Sequence, residues 1–200
     1  VYNSFFHQLQ EFSVFDFRRQ GTSFTRKWRR ERDKLRGKES KTAVVVNVTK
    51  RKDDLDIDFL TLPTHAEHAE EVPSVKQYPP QFRGTNSYRI TIRVVDFFKW
   101  KTKPFSEMTA KDLKEILQAA DVKFHNTSPA FFLQGYAANL TDIDSSIYPV
   151  TTPAVYWNSI TGKGIMDKHL LGLVNGFNAY LPDILKQIKA KVKRSKHYQK

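Results

Sequence analysis

The run from Ser87 to Phe98, SYRITIRVVDFF, sets apolar side chains at Tyr88, Ile90, Ile92 and Val94 between polar ones. A period of two commits this segment to a strand with one buried face. Two further segments precede it, Thr42 to Lys50 (TAVVVNVTK) and Leu55 to Leu62 (LDIDFLTL), β-branched or alternating and joined by a short polar link. The arrangement predicts a hairpin followed by a third strand, with the Pro63, Pro73, Pro79 and Pro80 region over residues 64–86 as a long loop. Beyond the basic loop Lys99–Lys103, Thr109 predicts the cap of a helix whose Leu113, Ile116, Leu117 and Ala120 fall at i, i+3, i+4 and i+7. A short strand is expected over Asp121 to His125. An apolar helix follows from the N-cap Asp167, weakened by Gly172 and Gly176, and Pro182 opens a last helix striped by Ile184, Leu185, Ile188 and Val192. The expected fold class is α+β: a small antiparallel sheet with packed helices, a helical basic N-terminal arm and a helical C-terminal tail.

Charge divides the chain in the same way. The net charge is +12, yet residues 53–185 hold 12 basic and 16 acidic side chains. Arg18 to Lys52 holds 14 Lys/Arg against three acids, and Lys186 to Lys200 holds seven against none. The basicity therefore belongs to two flanks around a mildly acidic body. This gives three regions: an aromatic and basic arm over 1–40, an α+β body over 41–181, and a basic helix and tail over 182–200. Within the arm, Phe5, Leu9 and Phe12 predict a short helix. A second helix starts at Thr22 or Ser23 and stops at Gly37, with Phe24, Trp28, Arg32 and Leu35 on one face. Phe24, Arg26, Lys27, Trp28, Arg29 and Arg30 are the candidate partner-binding residues. Arg26, Arg29, Arg30, Lys189, Lys193 and Arg194 are the candidates for contacting nucleic acid. For the arm helix, a solvated basic face accounts for the same pattern.

Several chemistries lack their residues. With 40% hydrophobic and 13% aromatic residues the chain can bury a core, and with no cysteine it has neither disulfides nor thiolate metal ligands. No apolar run approaches the roughly 20 residues of a membrane span, and the start lacks a signal-peptide pattern, so a soluble chain without a membrane partner is expected. His65, Glu67, His68, Glu70 and Glu71 cluster in a proline-bounded loop but lack the His-Glu-x-x-His order that puts two imidazoles on one helix face. Asp54, Asp56 and Asp58 alternate along a strand, as a divalent-metal nuclease would gather them, but no following strand carries Glu-x-Lys. A polar outer face explains them more simply. Thr161-Gly162-Lys163-Gly164 lacks the spacing of a phosphate loop. No catalytic residue, metal site or cofactor is expected.

The most individual stretches are His125-Asn126-Thr127-Ser128-Pro129-Ala130-Phe131-Phe132 and Gly164-Ile165-Met166-Asp167-Lys168-His169-Leu170-Leu171. Together they resemble a degenerate SWIM-type zinc module, Cys-x-Cys followed after an insertion by Cys-x-His at the start of a helix. Asn126 and Ser128 stand at the first two cysteines, Asp167 at the third, and His169 is retained. The combination, spanning about 121–175, resembles a family of tailed-bacteriophage virion proteins that carry cysteine or cysteine-free forms of this module, with a wider likeness from roughly Val44 to Leu185. An Asn amide and a Ser hydroxyl are not zinc ligands, so two candidates remain unless His125 joins them. The resemblance then implies a cysteine-free network in which Asn126 and Ser128 hydrogen-bond to Asp167 and His169. Asp167 acting as a plain helix cap, with His169 packed beside it, is the simpler alternative.

Three functions follow as expectations. The resemblance implies a structural component of a virion, in capsid, neck or tail, assembled in the host cytoplasm and docked onto other virion proteins through basic and aromatic arms. The basic flanks alone suggest a nucleic-acid binder, with packaged DNA as the possible partner. A metal-dependent nuclease using the three aspartates comes third.

Overall fold

A computed structural model describes Val14 and residues 43–61, 70–71, 84, 86–128, 131, 137, 140–141, 144–150 and 167–194. Strands β1 (Ala43–Arg51) and β2 (Asp54–Thr61) form the hairpin, β3 (Glu70–Glu71) is a two-residue strand, and β4 spans Asn86–Val94. Helices α1 (Phe97–Trp100) and α2 (Ala110–Ala119) lead into β5 (Val122–Asn126). Helix α3 (Lys168–Asn175), a 3-10 turn (Phe177–Tyr180) and α4 (Leu181–Arg194) complete the described chain. Four antiparallel strands in the order β1-β2-β4-β5 make the main sheet, and β3 pairs with the start of β4. The architecture is α+β.

Register explains which face is apolar. Val48, Ile57 and Ile92 lie in one cross-strand row with Phe124, and Leu55, Val94 and Val122 lie in the next. All seven are at most 1% exposed. Helices α2, α3 and α4 cover this face with Leu113, Leu117, Leu170, Leu173, Ile184 and Ile188. The run Val44-Val45-Val46 cannot alternate strictly; the pairing shifts between Val45 and Asn47, so Val45 and Val48 both reach the core although three positions apart. Val14, within the segment assigned to the arm, is 0% exposed and belongs to this same core.

Three expected boundaries move. The third strand stops at Val94, because Asp96 takes a left-handed conformation (φ 52°) and starts α1, and its backbone N–H donates to Asp54 Oδ1 at 2.9 Å. The expected apolar helix over residues 167–181 breaks at Gly176. A methyl group there would meet only ordinary contacts, 3.5 Å from the Gly172 carbonyl oxygen, so the break reflects weak glycine helix propensity rather than crowding. Glu70 and Glu71, in the expected loop, pair with Ser87 and Asn86.

Two local features carry predictions. The Ser87 hydroxyl is fully buried and has no hydrogen-bond partner among the described residues. Ser87→Ala is therefore expected to stabilise the protein by about 1 kcal/mol, the cost of an unpaired buried hydroxyl. In a thermal melt that is a rise of about 2–4 °C for a domain of this size, and a fall would show that the hydroxyl has a partner. At the start of α2, Thr109 and Asp112 form a reciprocal capping box, and Lys103 Nζ donates to Asp112 Oδ1 at 2.7 Å. The Lys103 contact first, then the Thr109 hydroxyl and N–H, hold the Asp112 carboxyl far below the usual carboxylate range. A depressed folded-state value gives stability that is present above the ordinary aspartate pKa and is lost as pH falls through the folded one. By carboxyl NMR, Asp112 should stay ionised where an ordinary aspartate is half protonated, and Lys103→Met should shift its titration upward.

Candidate functional site

The C-terminal end of β5 meets the N-terminal end of α3. Strand geometry delivers Asn126 to the buried face, where it pairs with Ile90, and two hydrogen bonds between Arg89 and Thr127 continue the ladder one residue further. Helix geometry delivers Asp167, the N-cap of α3, whose Oδ1 accepts from the Leu170 N–H at 2.8 Å. Its other oxygen, Oδ2, accepts from Asn126 Nδ2 at 2.8 Å and from Ser128 Oγ at 2.7 Å. The Asn126 carbonyl oxygen accepts from the Ser128 N–H at 3.0 Å. Since a backbone N–H only donates, the Asn126 amide is oriented: oxygen toward Ser128, nitrogen toward Asp167. Asn126, Ser128 and Asp167 are each at most 1% exposed. One carboxylate thus caps a helix and ties that helix to the sheet.

His169 is the second residue of α3, buried, with its ring edge-on to Tyr88 at 5.1 Å between centroids. Burial pushes the Tyr88 phenol above its ordinary pKa, and the Asp167 charge adds to the shift. Tyr88 was marked by sequence only as a core position of β4; its contact with His169 joins residues 81 positions apart and left no local signal. Around Asp167 Oδ2 the neighbours are an amide N–H and a hydroxyl, both pointing donors at the carboxylate. This donor set suits hydrogen bonding and does not fit zinc, which needs lone pairs from thiolate, imidazole or carboxylate.

The three alternating aspartates lie on the opposite, outer face of the sheet. Arg93 Nε and Nη2 reach Asp56 at 2.7 and 3.0 Å, and Arg51 Nε approaches at 3.3 Å. The hydrogen bond from Arg93 stabilises its charge and raises its pKa further. Asp58 accepts from the Thr91 hydroxyl at 2.8 Å, and Asp54 accepts from the Asp96 N–H. Thr49, Asp56, Arg93 and Lys123 form one polar row across four strands, extended by Asp144, which Lys123 reaches at 2.7 Å. The carboxylates therefore face arginine, threonine and backbone donors. Among the described residues no three His, Asp or Glu side chains gather closely enough to hold a metal ion.

Of the basic candidates, Lys189, Lys193 and Arg194 lie on α4, with Lys193 and Arg194 exposed. Phe24, Arg26, Lys27, Trp28, Arg29 and Arg30 lie outside the described residues, as do His65, Glu67 and His68. No described helix is long and apolar enough to cross a membrane. Comparison with protein-family models, with curated proteins and with solved structures finds no match to this chain.

Proposed function

We propose that this chain is a structural component of a tailed-phage virion, docked onto neighbouring subunits through its basic segments. The observation that carries the reading is the buried junction at Asp167. The two short blocks that resemble the cysteine-free virion module, Asn126-x-Ser128 and Asp167-x-His169, sit together at one strand–helix corner, and their polar groups bond inward. Such a corner supplies rigidity: a buried network in which Asn126 and Ser128 both bond to Asp167 favours one arrangement of α3 on the sheet. Polar groups consumed in this way are a framework rather than a reaction centre. The basic flank of α4 supports a surface role beside that framework.

The direct test is a mass-spectrometric inventory of purified particles, in which the chain should occur at a fixed copy number per virion. Absence from particles would end the reading. The module likeness has its own test. Asn126→Cys, Ser128→Cys and Asp167→Cys introduced together restore Cys-x-Cys and Cys-x-His, and this variant should bind one zinc ion per chain with His169 as the fourth ligand. If the folded variant takes up no zinc, the corner is not built like the module it resembles.

A further inference from the structure

Helix α4 carries two parallel stripes. Leu181, Ile184 and Ile188 are buried in the core. The adjacent stripe faces an open groove of about 490 Å³, whose apolar lining is Pro182, Leu185 and Ala190 with Ala110 from the start of α2. Lys186, Lys189 and Lys193 also line it, and among the described residues no acidic side chain does. These lysines follow one another at i, i+3 and i+7, so their like charges repel along one helix face. Among the described residues none of the three forms a salt bridge.

A second basic surface is arranged differently. In α1 and the loop after it, Lys99 pairs with Asp96, Lys103 with Asp112, and Lys101 rests over the Phe105 ring at 4.5 Å. Those cations are neutralised or seated internally. The α4 lysines have no such partner among the described residues.

The geometry points to the α4 groove as the docking site for an acidic amphipathic polypeptide segment, one that places apolar side chains against Leu185, Pro182 and the two alanines and carboxylates against the three lysines. The apolar lining decides between anionic partners. A phosphate backbone uses the charge but leaves the apolar surface uncovered, whereas a segment with Leu-like and Glu-like faces uses both. This deepens the assembly reading and rests on it for the source of the segment, a neighbouring subunit; the binding chemistry stands independently.

Fluorescence anisotropy with the full chain tests it, using three labelled probes of equal charge: a helical Glu/Leu amphipathic peptide, a polyglutamate peptide, and a single-stranded oligonucleotide. The Glu/Leu peptide should bind at least roughly tenfold tighter than the other two, a difference worth about 1.4 kcal/mol. Lys186→Glu, Lys189→Glu and Lys193→Glu together should abolish binding, while Lys191→Glu with Arg194→Glu, off the groove, should leave most of it. Equal binding of polyglutamate, tighter binding of the oligonucleotide, or equal loss with the off-groove pair would each overturn the proposal. Should the triple Glu variant fail to fold, the corresponding triple Gln variant decides the matter: loss of binding supports the groove, and retention overturns it. A chain absent from particles that still binds the Glu/Leu peptide through these lysines would refute the assembly reading alone. A particle component that does not bind would refute the groove alone.

Discussion

Asp167→Ala should lower the free energy of unfolding by about 3–5 kcal/mol, because it orphans several buried donors at once. The Asn126 amide, the Ser128 hydroxyl and the Leu170 N–H all end on this carboxylate, and no water-exposed route remains for groups at most 1% exposed. Each unpaired buried donor costs about 1–3 kcal/mol, and partial relaxation keeps the total below the simple sum. Loss of the helix cap is part of the same deletion, since Oδ1 is the cap acceptor. Urea denaturation monitored by circular dichroism measures the change. Asp167→Asn separates the two functions of the side chain. An amide keeps one acceptor and turns a donor toward either Leu170 or the Asn126/Ser128 pair, so its cost should fall between wild type and Asp167→Ala. A double-mutant cycle with Asn126→Ala should show coupling of about 1 kcal/mol or more, as expected for directly bonded partners. If Asp167→Ala costs no more than an ordinary surface substitution, the junction is not holding α3 to the sheet.

Phe59→Ala should be comparably damaging for a different reason. Phe59 is 0% exposed in β2, between Val45 and Ile90, with its ring 6.1 Å from Phe177 and 5.6 Å from Tyr180. Truncating a buried phenylalanine costs about 3–5 kcal/mol through lost transfer energy and the cavity left behind. The two ring contacts are worth about 0.5–1.5 kcal/mol each beyond area burial. They also connect the sheet to the 3-10 turn that joins α3 to α4, so the substitution should loosen both the Asp167 junction and the α4 groove. Phe59→Leu fills much of the volume and should cost clearly less. Hydrogen exchange would localise the effect: amides of residues 177–184 should lose protection first. Uniform loss of protection across the sheet would place the weak point elsewhere.

Local signals in the sequence were sufficient for most elements. The alternation at Tyr88, Ile90, Ile92 and Val94 needs only a backbone period, and Thr109 and Asp167 act on amides three residues away, so strand and caps were legible without neighbours. Where the local rule was incomplete, a nonlocal contact completed it. The end of β4 at Val94 depends on Asp54 receiving the Asp96 N–H from 42 residues away. The shift around Val46 depends on which valines the helices cover. Glu70 and Glu71 become a strand only because Ser87 and Asn86 offer an edge.

The chemistry-bearing residues divide along the same line. The resemblance of two short blocks to a known module singled out Asn126, Ser128, Asp167 and His169, and alternation alone put Asp54, Asp56 and Asp58 on one side of a strand. Which partner each side chain faces is decided by register between strands and by the docking of helices, interactions whose energy lies in residues far apart in the chain. Thus Arg93 occupies Asp56, Tyr88 meets His169, and Val14 enters the core from a segment whose composition signalled an arm. The segregation of charge, a uniformly basic last segment beside an acidic body, was determined by sequence, because composition survives any folding. That three of those lysines share a groove with an apolar wall was determined only in three dimensions, when α2 brought Ala110 alongside α4.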